Sequence, residues 1–313
     1  MNILVTGGCG YTGSILVRKL LSHDHKVRVI DTQWFGNYLK KHKNLKIIKK
    51  DIRDIDSDIF KGMHAIIHLA NIANDPSVEL NQNLSWEVNV LSIKKIVEHS
   101  IKHKLKKFIF ASSGSVYGIK KEKKVTEKLD LVPISIYNKT KMIAEKVLDS
   151  YSKLIDIYHI RPATVCGYSP RMRLDISVNM FVYQALKYKK IKIFGGSQIR
   201  PNIHINDLVG VYEHVLFNKI KPGVYNAGFE NLKIIDVAKL VKKHIPCQIK
   251  VIKNTNDPRT YRQNSDKLLK SGFKPHYNVE KAILEIKEHY AQGKLKDDDI
   301  CYSVKWMKKL KIK

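Results

Sequence analysis

The sequence predicts an α/β protein: a doubly wound parallel sheet with helices on both faces, followed by a smaller, mostly helical C-terminal unit. Three observations carry this. Short apolar runs alternate with amphipathic stretches over the first half of the 313 residues. Strand–helix–strand repetition of that kind builds parallel sheets, whose strands are buried on both faces and read as near-continuous apolar runs. A glycine-spaced turn, TGGCGYTG (6–13), separates the first apolar run from the first helical pattern. After Pro162 the rhythm changes and the remainder is mainly helical.

In order, ILV (3–5), VRVID (27–31), LKIIKKD (45–51), AIIHLA (65–70), KFIFASS (107–113) and IDIYHIRP (155–162) read as buried strands. SILVRKLLS (14–22), WEVNVLSIKKIVEHSIKH (86–103) and YNKTKMIAEKVLDSYSK (137–153) carry apolar residues at helical spacing. A polar segment, CGYSPRMRLD (166–175), leads to another helical stretch and to IKIFGG (191–196). Residues 207–218 and 223–227 read as a return to the first layer. The expected division is 1–165, with 200–230 returning to it, against 166–199 and 231–313. There is no internal repeat and no low-complexity linker.

Composition sets bounds on the partners. No apolar run reaches the roughly 18 residues of a membrane helix, and the first strand begins directly behind Met1, so neither a membrane span nor a signal peptide is expected. Cys9, Cys166, Cys247 and Cys301 are far apart and form no C-x-x-C, which argues against a disulfide framework or a metal site and fits a cytoplasmic protein. The formal charge of +28 is mostly lysine spread along the whole chain. Without an aromatic-studded basic stripe, nucleic acid is a poor expectation. A well-solvated surface is a better one, and its field also favours a small polyanion.

Gly7, Gly10 and Gly13 stand where a glycine turn has a physical task. Glycine lets the backbone turn sharply and approach a pyrophosphate, while the following helix offers unpaired N–H groups and the positive end of its dipole. Asp31 closes the second strand 18 residues after Gly13. A carboxylate there accepts from both hydroxyls of an adenosine ribose and repels a 2′-phosphate, and no arginine follows it. The expected cofactor is NAD on a Rossmann-type sheet.

TGGCGYTG resembles the TGGxGxxG of the extended short-chain dehydrogenase/reductase family, the nucleotide-sugar epimerases and dehydratases. HLAN (68–71), SSGSVYG (112–118), YNKTK (137–141), RPATVCG (161–167) and RPNIHINDL (200–208) follow in that family's order and extend the likeness over nearly the whole chain. The resemblance implies cofactor contacts from Gly7, Gly10, Tyr11, Thr12 and Gly13, from Asp31, from Asp51 and Ile52 beside the adenine, and from Leu69, Ala70, Asn71, Asn89, Tyr137 and Lys141. It implies nucleotide-diphosphate contacts from Asn179, Arg200 and Arg259. Arg171 and Arg173 are expected in a loop facing the same cleft. Arginine suits that task through its bidentate fork. Cys166 stands where the family's RPxxVYG motif has tyrosine, and Phe194 is a candidate for stacking on the base or for plain packing. Family members commonly pair the helices near 86–103 and 137–153 into a homodimer.

Six tyrosines satisfy Y-x-x-x-K, namely Tyr117, Tyr137, Tyr183, Tyr188, Tyr277 and Tyr290. Position selects Tyr137. It opens a helix, lies 24 residues after Ser113, and shares a helix face with Lys141. Removing hydride from a sugar carbinol requires its hydroxyl proton to leave. A phenol near pKa 10 is a poor base until positive charge beside it stabilises the phenolate. Lys141 and a positively charged nicotinamide are expected to supply that charge, with Ser113 donating to or relaying a proton at the same oxygen. As an alternative, Ser113 only caps a turn. Family dehydratases carry an Asp-Glu pair directly after the serine or threonine, where this chain has Gly114 and Ser115. Sugar-acid decarboxylases have glutamate, and fucose-synthase enzymes cysteine, where Ser115 stands. Oxidation and re-reduction at one carbon remains, most simply 4-epimerisation of a nucleotide-diphosphate sugar. A one-way dehydrogenase or ketosugar reductase, a catalytically idle NAD-binding regulator and a nucleic-acid-binding protein are the other readings.

Overall fold

A computed structural model describes residues 1–252 and 260–312. Its centre is a seven-stranded parallel sheet. The first six strands are β1 (Asn2–Thr6), β2 (Lys26–Asp31), β3 (Leu45–Lys49), β4 (Ala65–His68), β5 (Lys107–Ala111) and β6 (Asp156–Pro162). Next come β7 (Thr164–Cys166), β8 (Lys190–Phe194), β9 (Ile199–His204) and β10 (Gly223–Ala227), the last of which returns to close the sheet beside β6. The order is β10-β6-β5-β4-β1-β2-β3. The central strands β1 and β4 are buried nearly end to end, as a sheet covered on both faces requires.

One face is covered by α1 (Tyr11–Ser22), whose Leu16, Val17 and Leu20 pack onto β1 and β2. On the other face, after α2 (Asp75–Val78) and α3 (Gln82–Trp86), lie α4 (Ser92–Lys102) and α5 (Ile136–Asp149). Ser135 caps α5 by accepting from the Asn138 N–H at 3.2 Å. Strand order reverses between β4 and β2 around β1, and the crevice beyond the C-terminal ends of β1 and β4 is where ligands of such sheets sit.

A second hydrophobic cluster is built from α6 (Ser177–Tyr188), α8 (Ile234–His244) and α10 (Val279–Ala291). Between them in the chain come α7 (Ile205–Phe217), which joins α1 over the main sheet, and α9 (Asp266–Lys270). Two small sheets border this part: β7 and β9 with β11 (Glu230–Lys233), and β8 paired in parallel with β12 (Gln248–Ile252). A last helix, α11 (Ser303–Lys309), crosses back to the first part, where Met307 joins the cluster of Ile52, Ile72 and Val78. β11 and β12 interrupt a stretch read as mainly helical. Both are short, half-exposed and lysine-bearing, so they lack the apolar run that marks a central strand.

Candidate functional site

The turn after β1 is set by backbone crowding. Gly7 has φ +71°, and a Cβ there would lie 2.6 Å from the Ala70 nitrogen. A Cβ on Gly13 would run into the Gly7 carbonyl and would stand 2.7 Å from the Gly8 Cα. α1 then begins at Gly10 with no side-chain cap and no acid in its first turn, which leaves its N–H groups and dipole for an anion. Asp31 sits at the end of β2. Its Oδ2 accepts from the Cys9 N–H at 2.9 Å and its Oδ1 from the Gln33 N–H at 2.7 Å. Burial pushes its carboxyl above the usual range, against the pull of those N–H groups and of Arg171. The glycine cradle, the bare helix end and the carboxylate fit a dinucleotide.

From this turn a cleft of about 480 Å³ runs between the two parts of the chain. Gly7, Gly10, Tyr11, Thr12, Gly13, Leu69 and Asn71 line it on the sheet side. Ser113, Tyr137 and Lys141 line it as well, as do Arg171, Arg173 and Arg200. The Asn71 Oδ1 is buried without a partner among the described residues.

Ser113 does cap a turn, accepting from the Ser115 N–H at 3.2 Å, and its side chain also acts on the Tyr137 phenol, which lines the same cleft. It lies 2.7 Å from the Ser115 hydroxyl, which donates to Asn138 Oδ1 at 2.6 Å. Burial pushes Tyr137 up to about 12, opposed by Ser113. Lys141 is buried, donates to the Ala111 carbonyl at 2.7 Å and is pushed down to about 7 by burial, opposed by Glu145. The expectation gave Lys141 and a positively charged nicotinamide jointly the task of lowering the phenol's pKa; in the chain alone burial raises it, and Lys141 does not offset that. Burial penalises both charged forms, so further positive charge must enter the cleft to lower Tyr137.

The arginines divide by position. Arg173 bonds Asp175 Oδ1 through Nε at 2.8 Å. Burial works against its charge, and Asp175, with Tyr11 and Tyr137, more than offsets that. Arg171 is 4% exposed, lies 4.0 Å from the Phe35 ring centre and has a buried Nε without a partner among the described residues. Burial, then Arg173, push it down to about 10. It also acts on Asp31, so it stands toward the ribose end of the cleft. Arg259 lies outside the described residues.

Several residues expected at the site are not among those lining the cleft. Asn179 is fully buried and spends its amide on Gly167, Arg173 and the Tyr11 hydroxyl. Asn89 sits in a π-turn (Glu87–Leu91) and bonds both backbone groups of Ile72, which holds the strand-end loop. Asp51 caps a short turn and pairs with Arg53, and Ile52 packs in the core. Ala70 is packed against Gly7. Cys166 is buried in the second cluster, away from the cleft, where Thr164 and Val165 form the wall. Phe194 is 57% exposed on the β8–β12 edge, so it packs in no core. Asp75, unforeseen, supplies the one carboxylate among the described lining residues and accepts from Ser135 at 2.5 Å.

Beneath the cleft lies a network the motifs did not suggest. Glu145, one turn beyond Lys141, accepts from Arg161 Nε at 2.9 Å and Nη2 at 2.5 Å, and from the Ser112 hydroxyl at 2.5 Å. Arg161 Nη1 continues to the Tyr117 hydroxyl at 2.7 Å, which donates to Asn226. Spacing offers one signal for it: Tyr137, Lys141 and Glu145 recur every four residues on one helix face.

Known proteins resemble the chain at both levels. An uncharacterized UDP-glucose epimerase, YtcB, of Bacillus subtilis is 33% identical over 261 residues, spanning 77% of this chain and 81% of the relative. A solved UDP-N-acetylglucosamine 4-epimerase from Methanobrevibacter ruminantium, in complex with UDP-N-acetylmuramic acid, superposes with TM-score 0.86 at 26% identity, over 93% of this chain and 98% of that one. A UDP-glucuronic acid 4-epimerase from Bacillus cereus, with UDP-glucuronic acid and NAD, superposes with TM-score 0.83 at 27% identity, over 93% and 99%. The model of one family matches residues 3–228, from β1 through the glycine turn, Ser113, Tyr137 and Lys141 to the return of the chain at β10. That span and those relatives place the chain in the NAD dependent epimerase/dehydratase family, to which it belongs.

Proposed function

We propose that the protein epimerises a nucleotide-diphosphate sugar at the 4-position through a transient keto-sugar, with NAD held along the glycine turn. The observation that carries this is that Ser113, Tyr137 and Lys141 line one cleft together with the glycine turn and with Arg171, Arg173 and Arg200. When bound, NAD supplies the hydride acceptor and the positive charge that the phenol needs. Tyr137 takes the hydroxyl proton from the sugar C4, with Ser113 sharing the oxygen, and the carbonyl forms as the C–H bond breaks. After the keto-sugar turns over in the cleft, Tyr137 returns the proton and the C–H bond re-forms on the opposite face. Lys141 holds the nicotinamide ribose. Arg173 and Arg200 face the diphosphate, and Arg259 is assigned to it on resemblance alone. The unit around the seven-stranded sheet binds the dinucleotide, and the unit around α6, α8 and α10 binds the sugar nucleotide.

Gly114 and Ser115 offer no acid for eliminating water, and Asp75 already accepts from Ser135. The names of the similar proteins make uridine diphosphate sugars the first substrates to try. Incubation with UDP-glucose, UDP-N-acetylglucosamine and UDP-glucuronic acid should yield the 4-epimer of at least one, with no net NADH at 340 nm. Stoichiometric NADH without an epimer would favour the dehydrogenase reading.

Asp31 places a carboxylate where a 2′-phosphate would stand. Calorimetry should favour NAD over NADP by tenfold or more, about 1.4 kcal/mol. Equal affinities would remove Asp31 from that role.

A cytoplasmic homodimer completes the proposal. The stripes on α4 and α5 are largely used within the chain, since Ile93, Ile96, Val97, Ala144 and Leu148 pack on the sheet. The surface left for a second copy is centred on Leu91, 66% exposed, with half-buried Ile143 and Val147 on α5. Sedimentation at micromolar concentration should give twice 36.1 kDa, and a mass of one chain would defeat the proposal.

A further inference from the structure

The C-terminal helix lies beyond the matched stretch 3–228, yet it ends on the cofactor side of the cleft. Three contacts bring it there. The Trp306 indole donates to the Trp34 carbonyl at 2.6 Å, three residues past Asp31. Met307, 3% exposed, packs into the core beneath β2 and β4. The Ser303 N–H donates to Asp175 Oδ2 at 2.9 Å, while the other oxygen of Asp175 holds Arg173. A fourth contact ties the same two segments, as the Leu174 N–H donates to the Cys301 carbonyl at 2.9 Å. The loop 171–175 is thus fastened to α11, and both reach the segment after β2: α11 through Trp34, the loop through Arg171 on Phe35. Ser303, Met307, Trp34, Phe35 and Arg171 all line the cleft.

We propose that α11, through Trp306 and Ser303, and the loop it fastens form a clasp that retains the dinucleotide between turnovers. This rests on the reading that NAD lies between the glycine turn and Asp31. A dinucleotide in that position leaves only after the Trp306–Trp34 and Ser303–Asp175 bonds open and Met307 gives up its burial. Arg171, buried over Phe35 within the same clasp, has an Nε without a hydrogen-bond partner among the described residues, which gives an anion a reason to stay, since a buried donor left unsatisfied is costly. Retention suits a redox-neutral reaction, in which the hydride taken from a sugar must return to that sugar.

The test measures exchange of bound NAD for radiolabelled NAD in the purified holoprotein, with no sugar present. Wild type should exchange slowly. Trp306→Ala should exchange at least tenfold faster, and Trp306→Phe, which keeps an aromatic ring but loses the indole N–H, several-fold faster. Ser303→Pro removes the Asp175 bond at the first helical position, where proline is tolerated, and should behave like Trp306→Ala. Lys305→Ala, at an exposed lysine paired with Asp299, should exchange as wild type does. Exchange within twofold of wild type in Trp306→Phe and Ser303→Pro would overturn the clasp while leaving the epimerase proposal intact. A protein that takes up no NAD at all would overturn both.

Discussion

Tyr137→Phe should lower turnover of the nucleotide sugar by about 10²–10⁴-fold, the usual scale of general acid–base catalysis, while NAD remains bound. Phenylalanine keeps the buried ring and its packing but has no proton to exchange. Lys141→Met should also slow turnover and should additionally weaken NAD, because the ammonium is assigned to the ribose as well as to the tyrosine. The two changes should be far from additive, since they disable one proton-transfer unit. Tyr183→Phe is the control. Tyr183 satisfies the same five-residue pattern, yet it packs in the second cluster with Lys187 over its ring, so the rate should change little. Near wild-type turnover by Tyr137→Phe, measured as the initial rate of 4-epimer formation, would show that the proton leaves by another route.

The second large effect is on stability. Glu145→Ala should destabilise the protein by about 3–5 kcal/mol, the typical result of leaving one member of a buried ion pair alone. Arg161 and Glu145 are each almost fully buried, and among the described residues the guanidinium bonds the Tyr117 hydroxyl besides the carboxylate. Removing the carboxylate strands that charge between β5, β6 and α5 and leaves the Ser112 hydroxyl without its acceptor. The double change Glu145→Leu with Arg161→Met should recover most of the loss, because apolar side chains of similar volume often replace such a pair at little cost. Urea unfolding at matched, saturating NAD reads both variants, since bound cofactor adds its own stabilisation. A loss under about 1 kcal/mol in Glu145→Ala would mean that water reaches Arg161, contrary to its burial.

The candidate site was legible wherever its chemistry depends on neighbours in sequence. Glycines three apart between a strand and a helix have one efficient use. Tyr137 and Lys141 share a helix face because four residues make about one helical turn, and the apolar runs 3–5 and 65–70 could hardly be anything but central strands. The network behind the site was not legible in this way. Glu145 looks like any helix glutamate until β6 carries Arg161 against it, 16 residues away. Asn179 looked available for a diphosphate until the fold surrounded it with the backbone of 167–173.

What the sequence by itself determined is the class of sheet and the glycine turn after its first strand; it also put forward NAD as the cofactor and the serine–tyrosine–lysine set as the candidate chemistry. These rest on local backbone geometry and short spacings, which any tertiary context inherits. Tertiary structure alone decided which arginine faces which end of the cleft, that Cys166 is packed away from it, and that Asp75 stands near Tyr137. It alone decided that the last helix folds back onto Trp34. It also set the protonation balance at the centre, where Lys141 falls and Tyr137 rises. Burial is summed over every element that excludes water from a group, and no stretch of sequence contains that sum.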